Sequence, residues 1–158
     1  MDQASTQVVE IACNLDDVSG EIIGAAVETL LAEGALDVWT TPIAMKKQRP
    51  GVTLSLLCES SKREVFARRV IELTGTFGVR LRDWNRVVLQ RRHETVETSF
   101  GPIRLKVGSL DGRAIVAKPE FEDVRMLAAK AGATAASVMN AARAAADGWL
   151  ARHGGTQR

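Results

Sequence analysis

Three carboxylates lie close together early in the chain, directly after a segment in which polar and apolar residues alternate. Asp16 and Asp17 follow that segment, and Glu21 comes at the start of a helical pattern. Carboxylate oxygens are the ligands that hard divalent cations such as Mg²⁺ prefer. Acidic side chains at a helix start also cap free N–H groups and offset the helix dipole. A cation site and a helix cap are therefore both open interpretations of this motif taken alone.

Three cations lie within four residues further along the chain. Lys46, Lys47 and Arg49 precede Pro50 and Gly51, and the segment Gln48–Gly51 is a turn signal. Arginine offers a fork of donors to a phosphate and lysine a point charge, so such a turn suits a phosphate chain. A solvated hairpin tip is the alternative, because exposed lysines also guard strand edges against aggregation.

A second acidic group follows Pro119. Glu120, Glu122 and Asp123 lie at a junction between a strand and a helix. Capping and dipole compensation explain acids at such a position. A contact to a cation or to a ribose is the alternative.

The cysteines and histidines show no metal-ligand spacing. Cys13 and Cys58 lie on core-facing strand positions at opposite ends of neighbouring strands, which predicts buried thiols and no disulfide between them. His93 and His153 have no partner near in sequence, and both are interpreted as surface residues.

Apolar periodicity predicts the elements that must position these side chains. Strands are predicted over 8–14, 36–44 and 52–58 and from Val79, and helices are predicted from about Ser19 to Gly34 and over 61–73. The order βαββαβ is that of a ferredoxin-like antiparallel sheet with both helices on one face.

The second part of the chain predicts a different arrangement. Short strands are expected over 94–98, 103–107 and 113–117, and helices over 120–131 and from Thr134 to Leu150. The predicted fold class is therefore α+β, with a ferredoxin-like subdomain followed by a smaller subdomain of strands and two helices. The predicted boundaries are a disordered N-terminus over 1–7, subdomains over 8–90 and 91–152, and a frayed tail over 153–158.

The predicted topology brings three loops to one rim of the first sheet. The ends of the first and second strands and the start of the fourth meet there, which gathers the segments 14–17, 45–51 and 74–80. The acidic and basic motifs then lie together, which favours a metal–nucleotide site over two solvated loops. Arg80, at the end of the third loop, is placed to stabilise charge that develops on a triphosphate.

Composition limits the function classes. The net charge is +2, from 21 basic and 19 acidic residues, which is too balanced for wholesale binding to nucleic acid or to a membrane. Aromatic residues make up 4% of the chain, and the first and third strands lack paired aromatics, which disfavours a single-stranded RNA binder. The polar start of the chain predicts no signal peptide, no segment is long enough to span a membrane, and two free cysteines favour the cytoplasm.

The ordered motifs resemble the C-terminal region of the LarC-type nickel-insertion proteins. The resemblance runs from about Val8 to Ala146. Its segments are NLDD (14–17) with Glu21, GALDVWTTPIAMKKQRPG (34–51), TGTFGVR (74–80), LQR (89–91), TSFGPIRLKV (98–107) and PEFED (119–123). The MKKQRPG segment after GALDV is the specific one, and the others gain weight from their order.

That resemblance implies a CTP-dependent nickel chelatase. Such an enzyme inserts Ni²⁺ into pyridinium-3,5-bisthiocarboxylic acid mononucleotide to form the nickel pincer cofactor of lactate racemase. It implies that this region binds CTP with Mg²⁺ or Mn²⁺ and assembles as a homo-oligomer, a hexamer or a trimer. Carried onto this sequence, the metal residues are Asp16, Asp17 and Glu21, the nucleotide residues are Lys46, Lys47, Arg49, Gly51 and Lys106, and Arg80 is the catalytic candidate.

Two departures from the family pattern accompany the resemblance. Gly20 stands where the family often has proline, and the family's usual His-rich N-terminal region is not among these 158 residues. The expected partner is therefore an N-terminal half of the same protein or a split subunit. Val38 and Leu57 are predicted to lie on the sheet face that the helices leave uncovered, where another subunit or the second subdomain would pack.

A nucleotide-sensing module of the PII or ACT type, which binds without turnover, is the alternative function.

Overall fold

The computed structural model describes residues 6–154, and these divide into two units between Val87 and Val88. The division lies three residues before the predicted one. The elements of the first unit are β1 (Thr6–Leu15), α1 (Gly20–Ala32), β2 (Asp37–Met45), β3 (Arg49–Glu59), α2 (Arg63–Thr74) and β4 (Arg80–Arg86).

The first unit has the predicted ferredoxin-like topology. Its sheet order is β2-β3-β1-β4, and every neighbouring pair is antiparallel. Alternate residues of β1 and β3 pack with the apolar stripes of α1 and α2 in one core. The α+β fold class is confirmed.

Local signals explain where the helices begin and end. The Ser19 side chain caps α1 by accepting from the N–H of Ile22 at 3.4 Å. Gly75, in a left-handed conformation, ends α2. The start of α1 and the end of α2 therefore lie at the same rim of the sheet, where β1 ends and β4 begins.

The hairpin between β2 and β3 turns earlier than predicted. A turn over Lys46–Gln48 makes the reversal, whereas Arg49, Pro50 and Gly51 already belong to β3. Pro50 is tolerated in a strand because this end of β3 extends beyond Val52, where its pairing with β1 ends, and has only β2 as a neighbour. The prediction of a turn at Gln48–Gly51 was wrong.

Val38 lies on the opposite face of the sheet from the one predicted. It pairs with Leu56, and both belong to the core beneath the helices. Leu57 is the next residue of β3 and points away from the helices, as predicted, because successive strand residues alternate between faces.

The second unit pairs an antiparallel sheet with two helices. Its elements are β5 (Gln90–Thr98), β6 (Gly101–Leu110), β7 (Arg113–Pro119), α3 (Phe121–Ala131) and α4 (Ala135–His153). The sheet order is β5-β6-β7, and its core includes Leu105, Val107, Val124 and Trp149. Thr134 caps α4 by accepting from the N–H of Ser137 at 3.1 Å.

The two chain ends are more ordered than predicted within the described residues. Thr6 and Gln7 belong to β1, because they pair with Arg86 and Asn85 of β4. His153 is the last residue of α4, and its ring stacks on Trp149 with a centroid distance of 4.3 Å. Gly154, within the predicted frayed tail, is the C-cap of α4. Residues 1–5 of the predicted disordered start and residues 155–158 of the predicted tail lie outside the described residues.

None of the helices in the described part of the chain is both long and apolar enough to cross a membrane.

Candidate functional site

The acidic loop after β1 and the basic hairpin between β2 and β3 meet at one rim of the first sheet. Arg49 Nη1 lies 3.4 Å from Asp16 Oδ2. The Asp16 side chain is 20% exposed and that of Arg49 is 57% exposed. The contact is long and largely solvated, so it holds the two loops together only weakly and leaves both charges able to exchange partners.

Arg80 reaches the same rim from β4. Its Nη2 donates to Asn14 Oδ1 at 2.8 Å, and the Thr53 hydroxyl donates to the same oxygen at 2.9 Å. Asn14 pairs with Thr53 in the β1–β3 ladder, and Asp16 follows two residues later. The network therefore fixes one guanidinium beside the acidic loop while most of that side chain stays exposed.

The turn that carries the lysines is conformationally strained. Lys47 has φ 61° and ψ 26°, and Gln48 has φ 58°. The left-handed region costs residues with a side chain roughly 1–2 kcal/mol each. Neither Lys46 nor Lys47 forms an ion pair with any residue in the range 6–154, so both ammonium groups face solvent at the rim.

Gly51 allows the hairpin to approach the end of β1. A Cβ at this position would lie 2.9 Å from the backbone oxygen of Leu15 and 2.8 Å from Met45 Sδ. Both distances are shorter than real Cβ contacts, so any larger residue would push the hairpin away from the acidic loop. The structure thus explains this glycine by close packing at the rim.

The other predicted metal residues follow along the start of α1. Asp17 is exposed in the loop, and Glu21 is exposed in the first turn of the helix. Within residues 6–154, no group of three or more His, Cys, Asp or Glu side chains is arranged to hold a metal ion. Asp16, Asp17 and Glu21 therefore do not form a complete ligand set. One or two carboxylates still fit Mg²⁺, which keeps several waters and takes further ligands from phosphates.

Cys13 lies just inside the rim. Its side chain is buried, and burial raises the pKa of its thiol, while the nearby Thr74 and Thr76 hydroxyls and the charge of Arg80 act in the opposite direction. Both cysteines are free and buried, and Cys58 pairs with Val9 at the far end of β1. Cys13 therefore packs β1 against the loop that precedes β4.

Lys106 belongs to the second unit, where a carboxylate holds it. Its Nζ lies 3.1 Å from Glu120 Oε1, and His93 Nε2 lies 3.2 Å from the same oxygen. These contacts, with that from Lys106 the largest, lower the pKa of Glu120. Lys118 lies directly opposite Lys106 on β7, so the outer face of this sheet carries a short row of basic residues.

The remaining acids of the PEFED segment hold arginines and do not cap α3. Asp123 accepts from Arg104 Nη2 at 2.7 Å, from its Nε at 2.9 Å and from its backbone N–H at 2.9 Å. Glu122 accepts from Arg125 Nη2 at 2.6 Å on the surface. Glu120 is the residue before α3, yet its side chain makes no cap hydrogen bond. The capping part of the explanation was therefore wrong, although Glu122 and Asp123 do lie in the first turn of α3, where carboxylates offset the helix dipole.

Asn14 and Thr53 are the functional candidates that sequence reasoning missed. Asn14 lies inside the NLDD motif but offers no charge, and Thr53 is one of several polar residues on β3. Only the strand register shows that both support Arg80. The available signal was that Asn14 lies on a central strand directly before the acidic loop.

Comparisons with known proteins give one consistent result. The sequence model of the family described as nickel insertion protein matches residues 1–139. A relative from Myxococcus xanthus (strain DK1622) is 45% identical over 148 residues, covering 92% of this chain and 37% of the relative. A pyridinium-3,5-bisthiocarboxylic acid mononucleotide nickel insertion protein from Staphylococcus saprophyticus is 37% identical over 134 residues, covering 85% of this chain and 34% of the relative.

A solved structure gives the same result for the fold. It is described as the C-terminal domain of a cyclometallase involved in the synthesis of the NPN cofactor of lactate racemase, in its apo form. It is 35% identical, has a TM-score of 0.86, and covers 91% of this chain and 99% of that chain. The chain spans about a third of the length of the curated relatives it matches.

Proposed function

This chain belongs to the nickel insertion protein family, and from that membership we propose that it is the CTP-binding, oligomer-forming C-terminal part of a nickel insertase. The whole protein would insert Ni²⁺ into pyridinium-3,5-bisthiocarboxylic acid mononucleotide and so form the NPN cofactor of lactate racemase. The observation that carries the nucleotide part of the proposal is the contact of Arg49 with Asp16 at the rim, beside Arg80.

The basic hairpin would bind the triphosphate. Lys46 and Lys47 have no carboxylate partner among the described residues, and Arg49 has only a long contact, so all three cations can bind phosphate oxygens without breaking a strong ion pair. Gly51 supports this role by keeping the hairpin close to β1. Lys106, on the second unit, is a further candidate for a nucleotide contact.

The acidic loop would hold the divalent cation. Asp16 and Asp17 are the proposed ligands, and Glu21 is a further candidate one helical turn later. Mg²⁺ or Mn²⁺ would neutralise charge on the phosphates when bound. Once a nucleotide engages Arg49, Asp16 loses its contact with that guanidinium and becomes available to the cation.

Arg80 is the proposed catalytic residue. Its guanidinium is held by Asn14 but is otherwise exposed at the rim, where it can stabilise charge that develops on the leaving phosphates. Because Asn14 is a neutral acceptor, the bond orients the guanidinium without neutralising its charge.

Nickel insertion itself would require more of the protein than this chain. The matched region covers only 34% of the Staphylococcus saprophyticus relative, and the matching solved structure is described as one domain of a cyclometallase. We therefore propose an N-terminal half or a separate subunit as partner, with Ni²⁺ as the inserted metal. The two free, buried cysteines are compatible with the cytoplasm as the proposed location.

The double variant Lys46→Ala/Arg49→Ala tests the phosphate assignment. We expect its affinity for CTP with Mg²⁺ to fall at least about tenfold in calorimetry, because charge-assisted hydrogen bonds are lost. Lys62→Ala/Arg68→Ala is the matched control, since it removes the same two charges from the region of α2. Equal CTP affinity in wild type and the first variant would reject the assignment.

Turnover separates the insertase from a nucleotide sensor. With nickel, the mononucleotide ligand and the N-terminal part present, we expect CTP to be converted to CMP. Tight CTP binding without turnover under these conditions would favour a sensing module.

A further inference from the structure

Phe77 is the most exposed of the large apolar residues that the structure records as exposed. Its relative exposure is 106%, compared with 68% for Val65 and 60% for Phe121. The ring lies in the loop between α2 and β4, and it packs against neither core of the described chain. A single exposed apolar residue is common on protein surfaces, so exposure alone does not indicate a function.

The loop that carries Phe77 is ordered by its own hydrogen bonds. The Thr74 hydroxyl donates to the Val70 carbonyl at 2.7 Å and accepts from the N–H of Thr76 at 3.3 Å. The Thr76 hydroxyl donates to the Gly78 carbonyl at 3.1 Å. Thr74 and Thr76 also contact the buried Cys13 thiol of β1. The segment before Phe77 is therefore tied to β1, and the Thr76–Gly78 bond closes the loop around a residue whose ring points into solvent.

The space beside the two glycines of this loop is open. A Cβ at Gly75 or at Gly78 would meet no atom within 4 Å. Gly75 has φ 68°, which accounts for a glycine there, whereas no positive φ accounts for Gly78. Gly78 adds no side chain directly after Phe77, and the hydroxyl of Thr76, directly before it, is bonded to the Gly78 carbonyl.

The position of Phe77 relates it to the proposed phosphate site. It precedes Arg80 by three residues, so their Cα atoms are at most about 11 Å apart. Arg80 bonds Asn14, and Asp16 with Arg49 follows at the same rim. A nucleotide has a polyanionic end and a planar heteroaromatic end, and the charged residues of the rim account only for the first.

We propose that Phe77 is a stacking platform for the heteroaromatic ring of the nucleotide whose phosphates occupy the rim. The inference rests on the proposed nucleotide function and adds the residue that would contact the ring. Stacking on an aromatic side chain is available to a pyrimidine, and a pyridinium ring adds attraction between its positive charge and the π face. CTP and a pyridinium mononucleotide are therefore the two sources of such a ring.

Binding of three ligands to Phe77→Ala tests the inference. The ligands are CTP with Mg²⁺, inorganic tripolyphosphate with Mg²⁺, and nicotinamide mononucleotide as a pyridinium probe. We expect Phe77→Ala to weaken the binding of at least one of the two ring-containing ligands by about 5- to 100-fold and to leave tripolyphosphate unchanged. Phe77→Trp should retain binding, and the ligand affected identifies which ring stacks.

The control is Phe121→Ala, which removes an exposed phenylalanine from the first residue of α3. It should leave all three affinities unchanged.

Two outcomes would overturn the inference while the phosphate site stands. The first is wild-type affinity of Phe77→Ala for both ring-containing ligands. The second is a smaller oligomer in light scattering with unchanged nucleotide affinity, which would make Phe77 a contact between copies. A wild-type protein that binds neither CTP nor tripolyphosphate would instead reject the proposed function and the inference together.

Discussion

At the scale of single residues, the rim of the first sheet combines opposite charges that are not committed to strong partners. The ion pair across it between Arg49 and Asp16 is 3.4 Å long and solvated. The cationic turn also keeps Lys47 and Gln48 in a left-handed conformation that glycine would adopt at lower cost. Strain of this kind is concentrated at functional sites, which agrees with a binding role for the turn.

Asp16→Asn is expected to weaken the dependence of CTP binding on Mg²⁺. Asparagine keeps the shape of the side chain but removes the charge that a cation needs, so the Mg²⁺ concentration for half-maximal CTP binding should rise about tenfold. A metal titration followed by calorimetry measures this.

Asp83→Asn is the control for that titration, since Asp83 has a similar exposed contact of 3.3 Å with Arg63 on the same unit. Identical Mg²⁺ curves for wild type and Asp16→Asn would remove Asp16 from the ligand set.

At the scale of elements, the acids of the PEFED segment fasten α3 to the second sheet. The Asp123 side chain is only 10% exposed and accepts three hydrogen bonds from Arg104 of β6. These bonds, chiefly those from the guanidinium, hold the pKa of Asp123 below its ordinary value. Asp123, which the sequence suggested as part of a helix start, therefore connects α3 to β6.

Asp123→Asn is expected to lower Tm at pH 7 by roughly 5 °C, because the charge that Arg104 binds is lost. The pKa of Asp123 is lowered by folding, so its stabilising effect is present above the unfolded pKa of about 3.9 and disappears as the pH falls through the folded value. The Tm difference between wild type and variant should therefore be constant from pH 8 to 5 and shrink below about pH 4.

Glu122→Gln is the control, because Glu122 also pairs with an arginine but is 58% exposed, and such pairs contribute little. Thermal unfolding followed by circular dichroism measures both variants. Equal Tm losses for the two variants would contradict the structural role of Asp123.

At the scale of the whole molecule, the proposed oligomer would use the sheet face that the helices of the first unit do not cover. Leu57 is half-buried on this face, and Trp39 and Trp84 are partly exposed on the two edge strands. Apolar residues on a surface of this kind are typical of subunit contacts.

Light scattering is expected to give a mass of three or six times 17.1 kDa. Leu57→Asp should shift the protein to smaller species, because a carboxylate cannot be buried there without a partner. Val65→Asp, on the exposed side of α2, should leave the mass unchanged. A wild-type monomer at all concentrations would contradict the proposed assembly.

The sequence by itself determined the element order, the fold class and the meeting of the acidic and basic loops. Strand alternation, helix caps and glycines are local signals, and a βαββαβ order leaves few topologies open. It also identified the family, because MKKQRPG and the ordered motifs around it are specific.

Only the tertiary structure decided which side chains contact one another. The sequence predicted that Val38 and Leu57 lie on the same uncovered face of the sheet. The register pairs Val38 with Leu56 instead, which places Val38 in the core beneath the helices. The same holds for Asn14, which becomes a support for Arg80 only when β1, β3 and β4 lie side by side. Hydrogen bonds between distant residues depend on this register, because a shift of one residue moves each side chain to the other face.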